Sequence, residues 1–353
     1  QQLNLYTSGL RIYTSIDSRM QKYAEESVRE HMQAEQKLFY SHWQGRNPWV
    51  NEEMKEIKGF LKDAMKRTQR YRDLMTAYDN DEFKVWEDLN KPIKMTVFSY
   101  QGDIDTTFSS MDSLRYYKKI LNCGFMAMDP TNGHVKAWIG GINYKYFKFD
   151  HISQSRRQPG STFKPFVYGA AIENEIINPC DELVDEPVTF GEEDGLSGST
   201  WTPQNSDGQF SYENLKMRRA MGLSINSISA KLMKQLGAAK IAEFAHKCGV
   251  ISPLNEVPSL CLGASEVSLL DQVTGYSTLA NRGEKTDPIL VLKITDKVGT
   301  VLREFSPIEK AAIKPETAYL MTYMLQGAVH EPGGTAEGLK RTSIVAGNEI
   351  GAK

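Results

Sequence analysis

The chain has 353 residues, of which 40% are hydrophobic and 24% charged, a globular profile with length enough for two domains. A net charge of −2 gives no electrostatic basis for nucleic-acid binding, and no apolar run reaches the roughly 18 residues that a membrane span needs. The four cysteines (Cys123, Cys180, Cys248, Cys261) lack CxxC spacing and the six histidines form no HExxH pair, which favours isolated buried thiols over zinc and leaves metal hydrolysis without support.

The first residues, Gln1-Gln-Leu-Asn-Leu-Tyr6, lack the basic and then apolar pattern of a signal peptide; a trimmed secreted protein begins the same way. Residues 10–16 alternate apolar and polar side chains, which predicts a strand. Asp17 then caps a helix whose apolar face is Met20, Tyr23, Ala24, Val28 and Met32. Residues 52–89 are highly charged, and Ile57, Leu61 and Met65 recur every fourth residue, a helical pattern that Asn90-Lys-Pro92 ends. This stretch reads as a solvated helical subdomain, its basic run 66–72 a wet helix face. Across 123–141, two short apolar runs flank Asp129-Pro-Thr-Asn-Gly133, which predicts a hairpin. Residues 162–175 read as a buried helix, 178–212 as loops, and 213–247 as mainly helical.

Ser161 and Lys164 stand three apart, so in a helix they share one face. Proline costs about 3 kcal/mol in a helix interior and little in the first turn, so Pro165 requires the helix to start close to Ser161. That puts the hydroxyl at the positive end of the helix dipole, and Pro159-Gly160 turns the chain sharply so as to expose it. Serine is a weak nucleophile and needs a base. Lysine serves only when neutral, and bringing its pKa from about 10.4 to near 7 takes roughly 4 kcal/mol of differential interaction. Burial and a neighbouring cation are the usual causes, and Phe163 and Phe166 are placed to desolvate Lys164. A surface Ser and Lys three apart occur by chance in many helices, but this S-x-x-K is the one instance in the chain and lies in an otherwise apolar helix. Further on, Ser224-Ile-Asn226 precedes an apolar helix. By itself this pair reads first as a helix cap, and beside the S-x-x-K as a hydroxyl and an amide for one cleft.

S-x-x-K followed by S-x-N resembles the motif set of penicillin-binding proteins and serine β-lactamases. The chain resembles the transpeptidase domain of a class A penicillin-binding protein over residues 1–32 and 93–353. The likeness is carried by Gly9-Leu-Arg-Ile-Tyr-Thr-Ser-Ile-Asp17, Asp129-Pro-Thr-Asn-Gly-His-Val-Lys-Ala-Trp-Ile-Gly-Gly141, Arg157-Gln-Pro-Gly-Ser-Thr-Phe-Lys-Pro-Phe166, Trp201-Thr-Pro-Gln-Asn205, Ser224-Ile-Asn226, Leu262-Gly-Ala-Ser-Glu-Val-Ser268 and Tyr276-Ser-Thr-Leu-Ala-Asn-Arg-Gly283. The resemblance implies an α/β (α+β) fold of the penicillin-binding-protein and serine β-lactamase type, an antiparallel sheet flanked by helices with the site between them. It divides the chain into 1–32 (opening strand and helix), 33–118 (charged, mostly helical insert) and 119–353 (transpeptidase domain).

It also implies a D,D-transpeptidase that cross-links peptidoglycan stem peptides ending in D-Ala-D-Ala and is acylated by β-lactams. Ser161 is then the nucleophile and Lys164 its base, Ser224 relays a proton to the leaving amine, Asn226 holds the substrate peptide, and the Ser161 N–H contributes to the oxyanion hole. No cofactor, metal or nucleic acid is implied, and the location is extracytoplasmic, on the periplasmic side of the inner membrane. The family's third motif, K-T-G, is met only by Lys353, the last residue, which would lie near the substrate carboxylate. The expectation is therefore a fragment, with the later strands supplied by further sequence or by a second polypeptide, and with the membrane anchor and glycosyltransferase domain outside it. Without those strands, the covering helices are expected to expose an apolar patch. Two alternatives use the same fold: a D,D-carboxypeptidase or β-lactam hydrolase on the same serine, and a non-catalytic scaffold. Hydrolysis of the class A β-lactamase kind employs a glutamate-positioned water. Glu256 and Glu266 are the nearest carboxylates, and neither has that motif's context.

Overall fold

A computed structural model describes residues 4–198 and 200–353. Residues 1–3, which begin both the N-terminal peptide and the 1–32 segment, and Ser199, within the 178–212 loops, lie outside the described residues. The chain forms two units, the first made of Gln1–Gln21, Gly124–Gly140 and Phe149–Lys353 and the second of Lys22–Cys123 and Gly141–Lys148.

In the first unit the expected hairpin forms from Phe125–Met128 and Val135–Ile139, antiparallel, with Met126 opposite Trp138 and a register shift after Ala127. Its turn is made by side chains: Asp129 accepts from Thr131 N at 3.0 Å and Thr131 Oγ1 at 2.7 Å, and from Asn132 Nδ2 at 3.0 Å. Gly133 is required there. Its φ is +69°, and a Cβ would lie 2.3 Å from the Asp287 carbonyl oxygen. Val135, Ala137 and Ile139 are buried and alternate with half-buried neighbours, the period-two pattern of a strand with one inward face. The predicted strand at 10–16 is Arg11–Thr14, which pairs with Val291–Thr295, itself paired with Val301–Glu304. Buried Ser15 places its hydroxyl 2.8 Å from the Val135 carbonyl and 2.6 Å from that of Ile289, joining this sheet to the hairpin. Among the described residues all named strand pairs are antiparallel.

The centre of this unit is the helix Lys164–Glu173, buried from Lys164 to Ile172. A helix that is apolar all round must be enclosed, and this one packs against Asn226–Leu236, Ala238–Cys248 and Pro315–Leu325. Gly169 permits one close approach, since a Cβ there would lie 2.6 Å from the Phe244 ring. Met126 and Met128 of the hairpin, Val273 of the helix Leu269–Ala280, Leu325, Thr162 and Lys353 border a cavity of about 890 Å³.

In the second unit the single helical pattern expected over 52–89 is three short helices, Phe60–Lys66, Gln69–Ala77 and Glu82–Asn90. Two local caps divide it. Thr68 accepts from Tyr71 N at 3.2 Å and Asp81 from Lys84 N at 3.2 Å, with Asp79 and Asn80 in left-handed conformations just before the second break. Met65 is 2% exposed and packs with Tyr71, Leu74, Val85 and Leu89, with Leu61 against them. Ile57 lies outside the helices and is 43% exposed. A hairpin, Ile93–Val97 with Ile104–Phe108, follows and has no counterpart in the sequence reading.

Candidate active site

Ser161 sits on a tight turn. Gly160 has φ +59°, and residues Gly160–Phe163 form a 3₁₀ turn that leads into the α-helix at Lys164, with Pro165 in its first turn. The α-helix thus starts at the base rather than the nucleophile, and the tighter 3₁₀ turn carries the serine. Three contacts hold this turn. Thr162 Oγ1 donates to the Pro159 carbonyl at 2.7 Å, Tyr276 Oη donates to the Thr162 carbonyl at 2.7 Å, and Gly160 N donates to Gly263 O at 3.3 Å. Gly263 must lack a side chain, because with φ +72° a Cβ there would lie 2.2 Å from the Gly160 oxygen. The Ser161 residue itself is exposed.

Lys164 is fully buried at 0% exposure, yet its ammonium is satisfied. Nζ donates to the Ser224 carbonyl at 2.6 Å and to Asn226 Oδ1 at 2.6 Å, and lies 3.3 Å from Ser224 Oγ. Burial pulls its pKa down to about 8, with the neighbouring Cys261 acting weakly the other way. Cys261 is buried as well, and burial pushes its thiol up to about 12, so it presents a neutral wall.

Ser224 has φ +62°, a left-handed conformation that a non-glycine residue adopts under constraint. That twist at the end of the helix Met217–Gly222 turns both its carbonyl and its hydroxyl toward Lys164. The cap reading of Ser224 and Asn226 does not hold. The helix begins at Asn226 itself with Ile225 as its N-cap, and neither polar side chain caps it. The Asn226 side chain goes instead to Lys164 and, through Nδ2, to the Gln204 carbonyl at 2.7 Å. Its choice of partner is decided by a residue 62 positions away, which no local pattern encodes.

Lys353 donates to the Met221 carbonyl at 2.9 Å. Burial, and then the charge on Lys164, lower its pKa to about 7. The structure therefore joins Lys164, Ser224 and Asn226 by direct hydrogen bonds, sets Ser161 one turn ahead of Lys164, and places Lys353 on the helix end that leads to Ser224. Among the described residues no carboxylate accepts a hydrogen bond from Lys164, and Glu256 and Glu266 are exposed. Sequence reasoning gave no role to Tyr276, Cys261 or Asp185. Tyr276 and Cys261 act by packing against the nucleophile turn and Lys164, and only the fold brings them there.

The family profile described as penicillin binding protein transpeptidase domain matches residues 123–353, and penicillin-binding protein middle domain matches 44–121. Penicillin-binding protein 1A of Rickettsia felis is 30% identical over 320 residues, covering 84% of this chain and 39% of that protein. The chain spans less than half the length of the curated relatives it matches. The crystal structure of penicillin-binding protein 1A from Haemophilus influenzae superposes with a TM-score of 0.67 at 19% identity, covering 96% of this chain and 58% of that one. Penicillin-binding protein A from M. tuberculosis, as its imipenem acyl-enzyme complex, superposes at 0.54 and 19% identity, covering 65% of this chain and 61% of that one. The stretch matched by the transpeptidase profile contains the exposed serine, the buried lysine and the S-x-N element that meets it. The chain belongs to the transpeptidase family of class A penicillin-binding proteins.

Proposed function

We propose that this chain forms the acylating site of a peptidoglycan D,D-transpeptidase. The observation that carries the reading is Lys164: fully buried, held by Ser224 and Asn226, its pKa lowered to about 8, and one turn behind an exposed serine. At pH 7 roughly a tenth of such a lysine is neutral, against less than a thousandth at its ordinary pKa. A neutral amine has two N–H groups, and the two bonds of 2.6 Å, to pure acceptors, occupy both. Its lone pair is then left for the remaining side, where Ser224 Oγ lies at 3.3 Å, and serves in this reading as the acceptor of the Ser161 proton.

In the first half-reaction Ser161 Oγ attacks the carbonyl joining the two terminal D-alanines, and its proton passes to Lys164 Nζ. The backbone N–H of Ser161 faces the developing oxyanion. When the tetrahedral intermediate collapses, the carbon–nitrogen bond breaks. The proton returns through Ser224 Oγ to the departing D-alanine amine, leaving an ester on Ser161. In the second half, an amine of a neighbouring stem peptide attacks that ester. A new amide bond forms, and the proton released by the amine restores Ser161 by the reverse route. Asn226 positions the substrate backbone, and Lys353, with a pKa of about 7 in the free site, is held in its protonated, positive form by the arriving substrate carboxylate. A β-lactam enters the first half in place of the stem peptide and remains as the ester. The location that fits this substrate is extracytoplasmic, with anchoring by sequence outside this chain. No helix among the described residues is long and apolar enough to cross a membrane.

The test is labelling of the full-length protein with a fluorescent penicillin followed by peptide mapping. The label is expected on Ser161 and is lost in Ser161→Ala. A label on another serine, or undiminished labelling of that variant, overturns the reading.

A further inference from the structure

The helix Asn226–Leu236 has no cap of its own, because Ile225 at its N-cap offers no side-chain oxygen. The first N–H groups of a helix need acceptors wherever water is excluded. Here the acceptor comes from 21 residues upstream: Asn205 Oδ1 accepts from Asn226 N at 3.0 Å and from Ser227 N at 3.2 Å. Asn205 is buried, and its Nδ2 donates to Asp185 Oδ1 at 2.8 Å and to the Gln209 carbonyl at 2.8 Å. Asp185, 2% exposed, also accepts from Ser227 Oγ at 2.5 Å, Ser211 N at 2.8 Å and Ser211 Oγ at 3.0 Å. Burial pushes the Asp185 carboxyl up, but the bonds from Ser211, Ser227 and Asn205 outweigh it and hold it below the usual range. Its charge lies toward the helix N-terminus, where the dipole favours an anion.

The residue before Asn205 completes the arrangement. The Gln204 carbonyl accepts only the NH₂ end of the Asn226 amide, so the other end, Oδ1, is the one presented to Lys164. One dipeptide, Gln204-Asn205, thereby sets both the start of the helix and the orientation of its first side chain. Stability alone would be served by a serine or aspartate at the position of Ile225.

We infer that Asn205, held by Asp185, is a positioning residue for acylation, a helix cap supplied from a distant loop that fixes Ser224-Ile-Asn226 and through it the amine of Lys164. The inference rests on the chemistry proposed for Ser161.

The experiment measures penicillin acylation of the full-length protein by rapid mixing, separating the rate constant at saturation from the half-saturating concentration. The variants are Asn205→Asp, Asp185→Asn and the exchange that combines them. Asn205→Asp preserves shape, but it removes the donor to Asp185 and sets two carboxylates within hydrogen-bond distance. It is expected to lower the saturating rate constant 30-fold or more, with half-saturation within threefold. The exchange restores one amide and one carboxylate to the same contact and is expected to recover to within fivefold of the parent. An Asn205→Asp protein within threefold of the parent, or a folded exchange no faster than the slower single variant, overturns the inference. If Asn205→Asp does not fold, the exchange decides alone. Failure of both to fold also overturns it, because the contact would then serve folding only. An unaltered protein that is not labelled at Ser161 overturns the proposed function itself, whereas a labelled parent with an indifferent Asn205→Asp overturns this inference alone.

Discussion

At the scale of the residue, Lys164 concentrates the tension between stability and chemistry. Its folded pKa of about 8 lies below the ordinary value of 10.5, so the native state holds that proton less tightly than the unfolded chain does. Between pH 8 and 10.5 the unfolded state binds more protons, and stability rises with pH in that window. Below it, the penalty of a buried charge is carried in full, about 3 kcal/mol by the pKa difference. Lys164→Met removes this titration. The stability difference between parent and Lys164→Met, measured by urea unfolding, is therefore expected to move toward the parent by up to about 3 kcal/mol from pH 8 to 10.5. A flat difference would show that Lys164 is not depressed. Kinetically, Lys164→Ala is expected to slow penicillin acylation of Ser161 by about 10²–10⁴-fold, the scale of general base catalysis, and a near-normal rate would remove Lys164 from the mechanism.

At the scale of the element, the nucleophile turn and the helix behind it show what a sequence discloses. Pro159-Gly160, the lone S-x-x-K and Pro165 together marked the start of a buried helix, because proline and glycine restrict the backbone wherever they stand. The hairpin at 125–139 was legible for the same reason, through the side-chain chemistry of its turn. The 52–89 region was not divided correctly, because periodicity averages over caps such as Thr68 and Asp81. The roles of Asn226 and Asn205 were hidden for a different cause: an amide caps, binds or orients according to what a remote segment brings to it. Contacts on the turn give the test at this scale. Gly263→Ala would set a Cβ 2.2 Å from the Gly160 oxygen at a φ of +72°, and is expected both to lower the melting temperature and to abolish labelling of Ser161. Tyr276→Phe removes one buried hydrogen bond, that of 2.7 Å to Thr162, and is expected to lose about 1–2 kcal/mol while slowing acylation only several-fold. Full labelling rates in Gly263→Ala would show that the turn does not depend on this close approach.

At the scale of the molecule, the two units carry separate apolar cores, one around the helix Lys164–Glu173 and one around Met65, Tyr71, Val85 and Leu89. The proposed chemistry resides wholly in the first. Its substrate predicts the place of the whole protein: after cell fractionation the native protein is expected with the envelope, and recovery as a membrane-free cytosolic protein would count against the assignment. Under the proposed transpeptidase function a penicillin adduct on Ser161 is expected to persist for hours, where a hydrolase would release it within minutes; among the described residues Lys164 Nζ bonds to the Ser224 carbonyl and Asn226 Oδ1 and to no carboxylate. The softened charge of Lys164 then has an ecological side. In the proposed extracytoplasmic location the protein would share its protons with the surrounding medium, and below pH 8 the neutral fraction of this lysine falls about tenfold for each unit of acidification. On the proposed function, cells growing in an acid niche would need more copies of the protein to close the same length of wall, and the same dose of penicillin would take longer to disarm them.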